Sequence, residues 1–272
     1  MHKIFLIIIC ISYIYSNNAQ INNDIPVEGY ELVWADEFNS EEIDSSWKAR
    51  GIGLRGGTGG YVDANQFMLK DSCMVLEVRE DTGELALKLK GKFPRIYKTA
   101  MISTLQSKLF KYGYFETRMF VSDQPGINSA FWLQSPVYSG GDDDYKKYGV
   151  EIDILETMYG ANKCPYHTLH WDGYAENWKN KGKILKRKEI VGSWHVIGLE
   201  WTEKYYKFYI DGKRTFKTRK AVSQIPEFII LSAEVKHNID DAKLPSEIRY
   251  DYVRVYQKNK PILKTCKTGR FL

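Results

Sequence analysis

Lys111-Tyr112-Gly113-Tyr114-Phe115-Glu116-Thr117-Arg118-Met119-Phe120-Val121 alternates in the manner of an extended chain. Phe115, Thr117, Met119 and Val121 share one face, and Tyr114, Glu116, Arg118 and Phe120 share the other. Neither face is bare, so the segment reads as a strand with both faces in use. Working outward, the same reading gives strands at Met74–Arg79, Glu84–Leu89, Ser129–Gln134, Val150–Glu156, Trp194–Trp201, Tyr205–Ile210, Phe228–Val235 and Tyr250–Tyr256. Asp211-Gly212, between Tyr205–Ile210 and Lys213–Phe216, predicts a type I′ hairpin, whose positive φ angles these residue types tolerate. Many short strands, with no helical pattern longer than a few turns, predict an all-β sandwich. Gly51–Gly60 and Ser135–Gly149 have loop composition and are suited to walling a cleft.

The chain opens with Met1-His2-Lys3 and an apolar run, Ile4–Ile14, that is too short to span a bilayer and ends in Ser16-Asn17-Asn18-Ala19. Residues 1–19 therefore read as a signal peptide, which implies a secreted or periplasmic protein. Residues 20–272 suffice for a single β domain. That part carries Cys73, Cys164 and Cys266, an odd number at wide spacings, so no disulfide framework is expected and at most one bridge can form. The net charge of +5, or +4 once Lys3 is removed with the leader, is mild. The basic run Lys179–Lys188 reads as a solvated loop, and neither nucleic acid nor membrane is an expected partner. A monomer is expected.

Chemistry concentrates in Glu151-Ile152-Asp153-Ile154-Leu155-Glu156. In a regular strand Glu151 and Asp153 share a face, while Glu156 points the other way with Ile152 and Ile154. An unpaired carboxylate among apolar side chains is costly, so the pattern predicts a β-bulge near Ile154-Leu155 that returns Glu156 to the Glu151 face. Three acids crowded on one surface repel one another and hold a proton that one of them alone would release. Acid–base hydrolysis of a glycosidic bond needs such a pair of carboxyls in different protonation states.

In these residues the chain resembles glycoside hydrolase family 16, whose enzymes carry an E-x-D-x-x-E or E-x-D-x-E signature on a cleft strand. The resemblance extends to Leu32-Val33-Trp34-Ala35-Asp36-Glu37-Phe38, Tyr112-Gly113-Tyr114-Phe115-Glu116-Thr117-Arg118 and Ser129-Ala130-Phe131-Trp132-Leu133-Gln134. It continues through Leu199-Glu200-Trp201-Thr202, Tyr209-Ile210-Asp211-Gly212 and Asp251-Tyr252-Val253-Arg254-Val255-Tyr256. It implies a β-jelly-roll of two curved antiparallel sheets with the substrate cleft on the concave face. It implies that Glu151 is the nucleophile, Glu156 the general acid/base and Asp153 the residue that holds and tunes the nucleophile, with retention of anomeric configuration. No catalytic metal is implied, but some members hold a structural calcium, for which Glu37 and Asp251 stand at matching places.

A polysaccharide cleft needs aromatic platforms for the apolar faces of sugar rings, and Trp132, Trp171 and Trp178 are the candidates, with Trp132 matching a family tryptophan near the scissile bond. His170 is a further candidate for substrate contact, and alternation sends His167 to the opposite face, so Cys164, His167 and His170 do not form a zinc set. The implied substrate is a β-linked polysaccharide, with β-1,3-glucan of the laminarin type first and a marine galactan (agarose, porphyran or carrageenan) second. Phe228-Ile229-Ile230-Leu231-Ser232-Ala233-Glu234-Val235 departs from the strand that many laminarinases have there. A non-catalytic carbohydrate-binding jelly roll is the alternative of another class, and the three acids argue against it. Gly51-Ile52-Gly53-Leu54-Arg55-Gly56 matches a dinucleotide-binding motif only formally, since no βαβ pattern surrounds it.

Overall fold

The computed structural model describes residues 27–55, 58–138, 144–157, 164–186, 188–236, 239 and 243–258. The predicted leader and Cys266 lie outside the described residues. Among those described, two sheets face each other. The cleft sheet runs, neighbour by neighbour, Lys179–Ile184, Pro165–Trp171, Glu151–Thr157, Ile127–Gln134, Phe228–Val235, Met101–Ser103 and Lys48–Ala49, with every pairing antiparallel. The outer sheet runs Lys213–Thr218, Tyr206–Ile210, Trp194–Trp201, Gly113–Phe120, Ser246–Lys258, Cys73–Asp81, Ile96–Thr99, Gly60–Val62 and Gly53–Arg55. Tyr30–Asp36 adds to the long Ser246–Lys258 strand and Phe67–Lys70 to Cys73–Asp81. This is the all-β sandwich that the alternation predicts.

The core lies between the sheets. Phe115, Leu199, Trp201, Phe208 and Tyr250 from the outer sheet meet Phe131, Leu133, Ile152, Ile229 and Leu231 from the cleft sheet in one buried cluster. Each such side chain contributes about 1.5–3 kcal/mol by leaving water. The alternate residues of the cleft strands, Ala130, Trp132, Phe228 and Ile230, point the other way and form a smaller buried cluster with Val62 and Met101. The outward face of Gly113–Phe120 is roofed by partners. Tyr114 packs with Tyr30 and Tyr256, Glu116 accepts from the Tyr252 hydroxyl, and Arg118 lies over the Trp194 ring.

Three expectations are corrected. Glu84–Leu89 is a short helix with no buried residue, because Glu, Leu, Ala and Lys all favour helix and its apparent alternation has no neighbouring strand to face. Lys179–Ile184 is an exposed edge strand rather than a loop, and Gly53–Arg55 and Gly60–Val62 are short strands within the predicted glycine-rich loop. The Asp211-Gly212 turn has the expected positive φ angles, 50° and 70°. Beyond it, however, the hairpin register shifts between Phe208 and Tyr209, which makes Thr215 an inserted residue. Cys73 and Cys164 are both free thiols. Among the described residues no helix is long and apolar enough to cross a membrane.

Candidate active site

The strand Glu151–Thr157 contains the predicted bulge. On one side Asp153 pairs with Thr168 and Glu156 with Tyr166, so Ile154 and Leu155 together oppose His167. On the other side Trp132 pairs with Asp153 and Phe131 with Leu155, which leaves Ile154 as the inserted residue. Ile154 and Leu155 both enter the core. Glu151, Asp153 and Glu156 consequently line one small cavity of about 200 Å³ on the cleft face, together with Trp132, Tyr174 and Glu234.

Glu151 is held through one oxygen. Its Oε2 accepts from Gln134 Nε2 at 2.7 Å and from the Tyr174 hydroxyl in a very short contact, and the Gln134 amide also donates to Tyr174 at 2.8 Å. Arg50 Nη2 fixes the other end of the Gln134 amide at 2.5 Å. Burial raises the Glu151 carboxyl to about 7, with the charge of Glu156 adding to the effect and the Tyr174 and Gln134 hydrogen bonds opposing it. Asp153 is 3% exposed. Burial first, and then the charges of Glu156 and Glu151, drive its carboxyl well above the usual range. Glu156 accepts from Asn128 Nδ2 at 2.8 Å. Burial raises its proton affinity, as does Glu234, against hydrogen bonds from Asn128 and Tyr166. The three acids titrate as one cluster that retains a proton near neutrality.

His170 sits over Asp153 with Nε2 3.1 Å from Oδ2, close but not aligned as a hydrogen bond, so that oxygen has no hydrogen-bond partner among the described residues. Burial lowers the imidazole to about 4, so it is neutral. Its Nδ1 accepts from Trp178 Nε1 at 3.0 Å, which leaves the proton on Nε2, and the two rings lie 14° from parallel. Trp178 is 46% exposed, so its ring covers His170 on one side and meets solvent on the other. Trp132 faces the cleft but is only 5% exposed, its Nε1 donating to Ser232 and its ring covered by the Arg50 guanidinium. Trp171 is not brought to the site. The alternation that turns His170 to the cleft turns its neighbour onto the main core.

Glu37 and Asp251 do not fit a calcium site. Arg254 binds both Glu37 oxygens, at 2.8 and 2.7 Å, and Arg118 pairs with Asp251 at 2.9 Å. Each carboxylate already faces a fixed cation, and among the described residues the metal-ligating side chains that gather in threes are Glu151, Asp153 and His170 instead.

Several site residues escaped the sequence reading. Gln134 and Asn128 lie on the same face of their strand as Trp132 and were open to the same alternation argument. Glu234, 8% exposed, stands opposite Asn128 in the ladder and is clamped by Arg55 at 3.3 Å and Lys236 at 2.7 Å. Although burial works against ionisation, these two cations hold the Glu234 carboxyl below its usual range, so it remains an anion. Tyr174 comes from a turn that carries no periodic signal.

A model of the β-porphyranase A–D GH16 domain matches residues 32–258. The chain belongs to glycoside hydrolase family 16. Glucan endo-1,3-β-glucosidase A1 of Niallia circulans is 25% identical, covering 86% of this chain and 39% of that protein. Clotting factor G alpha subunit of Tachypleus tridentatus is 25% identical, covering 84% of this chain and 34% of that protein. Keratan-sulfate endo-1,4-β-galactosidase of Sphingobacterium multivorum is 24% identical, covering 84% of this chain and 55% of that protein. The chain thus spans a third to about half of the length of these relatives. The laminarinase catalytic domain of Thermotoga maritima superposes with a TM-score of 0.68 at 23% identity, covering 86% of this chain and all of that one. That likeness identifies the sandwich as the family 16 jelly roll.

Proposed function

We propose that this family 16 chain is an exported, retaining endo-hydrolase of a β-linked galactan that carries anionic groups. The observation that carries the hydrolytic reading is the bulge at Ile154, which gathers Glu151, Asp153 and Glu156 in one cavity on the cleft face. With Gln134 and Tyr174 both bound to Oε2 of Glu151, Oε1 is the oxygen left to attack the anomeric carbon. Glu156 gives its proton to the leaving oxygen as that bond breaks, and the sugar becomes an ester of Glu151. Ester formation removes the Glu151 charge, so the proton affinity of Asp153 and Glu156 falls. Glu156 is then free to take a proton from the water that cleaves the ester. Asp153, whose proton affinity burial and the charge of Glu156 raise, is the reservoir for that exchange. A lectin has no use for three acids whose burial is unfavourable.

The galactan reading is supported by the family model that matches and by Arg55 and Lys236, which pair with Glu234 beside the three carboxylates; Glu234 lies on Phe228–Val235, the strand that departs from the laminarinase pattern. Fixed cations at a cleft wall suit a sulfated chain and offer little to a neutral one. The second reading, β-1,3-glucan, rests on the glucanase relatives. Incubating purified protein with laminarin, lichenan, agarose, porphyran and carrageenans, with product anomers followed by NMR, tests both. Cleavage of porphyran or another galactan with the β-anomer first is expected. Cleavage of laminarin alone overturns the galactan, and an inverted first product overturns the mechanism.

A further inference from the structure

We infer that His167 is a positioning residue for the proposed acid/base Glu156, because it ties the bulge in the catalytic strand to a second bulge in the outer sheet. The inference rests on the reading of Glu156 given above.

A bulge takes one residue out of the ladder and leaves its buried carbonyl in need of a donor. Ile154 is that residue, and His167, directly opposite, supplies the donor: Nδ1 lies 2.6 Å from Ile154 O. The imidazole is fully buried and stacks on Phe208 with centroids 4.8 Å apart. Its other nitrogen meets Thr215 Oγ1 at 2.7 Å. Thr215 is the inserted residue of the outer-sheet hairpin, where Phe208 pairs with Phe216 and Tyr209 with Arg214. The carbonyl of Thr215 is met in turn by Lys183 Nζ at 2.7 Å, and Lys183 is the ladder partner of His167. One cross-strand pair therefore satisfies the irregular backbone of both sheets.

The proton positions agree. Burial lowers the imidazole to about 4, so it carries one proton at working pH. A carbonyl can only accept, which puts that proton on Nδ1 and leaves Nε2 as an acceptor; the single Thr215 hydroxyl proton is shared between Nε2 at 2.7 Å and the Phe208 carbonyl at 3.1 Å. The edge strand closes over this arrangement at Gly182, where a Cβ would lie 2.5 Å from the His167 carbonyl oxygen. Without His167 the competing state is a regular strand, which has no orphan carbonyl and turns Glu156 to the core.

The test compares His167→Phe, which keeps the ring against Phe208 but has no donor, with His167→Asn, whose amide nitrogen takes the place of Nδ1. Both lose the link to Thr215, so loss of stability alone affects both. With the polysaccharide that the wild-type protein cleaves, Phe is expected to lower kcat about 100-fold at nearly constant KM, as for a misplaced catalytic group, and Asn to recover most of it. Hydrogen exchange of the 152–157 backbone, which needs no substrate, is expected to quicken in Phe and not in Asn. Equal losses in the two variants, or wild-type kcat and exchange in Phe, overturn the proposal. If Phe does not fold, Thr215→Val decides, with kcat expected to fall about tenfold at constant KM and an unchanged kcat refuting the link. Full activity of Glu156→Gln would instead overturn the underlying assignment.

Discussion

Replacing Glu151 by Gln should stabilise the fold, and do so much more at pH 8 than at pH 5. Burial raises the Glu151 carboxyl from 4.5 to about 7, so the folded protein binds this proton more tightly than the unfolded chain does. A raised carboxyl imposes no penalty below its unfolded value and the full penalty above its folded value; stability is lost as pH rises between the two. The full difference corresponds to about 3 kcal/mol, of which about 1 kcal/mol is already present at pH 5. Gln is nearly isosteric, and its carbonyl oxygen still accepts from Gln134 and Tyr174. Relief of the charge also lowers the proton affinity of Asp153 and Glu156, which acts in the same direction. The variant should therefore gain about 2 kcal/mol more at pH 8 than at pH 5, or roughly 4–8 °C in Tm for a domain of this size. Denaturant midpoints and thermal melts of both proteins at the two pH values provide the assay. An equal effect at both, or destabilisation that grows with pH, refutes the picture of a buried and mutually repelling cluster.

Three other outcomes are expected. Tyr174→Phe removes a hydrogen bond that favours the ionised form of Glu151, the proposed nucleophile; because Tyr174 is 62% exposed, the acid limb of kcat/KM should move up by about 1 pH unit and no more, which a pH–rate profile will show. A chelator should leave Tm unchanged, since arginines occupy the place of a cation at Glu37 and Asp251, and a fall in Tm restored by calcium would refute this. Arg55→Gln should raise KM for a sulfated galactan several-fold and leave KM for a neutral glucan alone, and the difference should shrink at high salt.

The parts of this molecule legible in its sequence are those governed by alternation. The sandwich follows from Lys111–Val121 and its counterparts, and the bulge follows from one carboxylate, Glu156, standing out of phase with two others. Phase also separates Trp171 from His170, so the placement of that tryptophan on the core could have been read from the same rule. Alternation misleads at Glu84–Leu89, where helix-forming residues meet no neighbouring strand. It is silent on Tyr174, which arrives from a turn, and on the clamp around Glu234, whose Arg55 is 179 residues away in sequence. The departure at Phe228–Val235 was visible. The cations that explain it were not, because long-range pairing in an antiparallel sandwich depends on the whole strand order.

The edge strand Lys179–Ile184 bears on how the protein behaves at high concentration. An open edge is an unfilled row of backbone donors and acceptors, and a second copy could extend the sheet there. Lys179, Lys181 and Lys183 recur at every other position along it. An identical strand docking antiparallel would bring lysines towards lysines; neither strand carries a carboxylate of its own, although Asp172 pairs with Lys179 at 3.0 Å. Gly182, required beneath His167, also deprives an incoming strand of a side chain to pack against. The edge that completes the catalytic sheet is thereby a poor seed for aggregation.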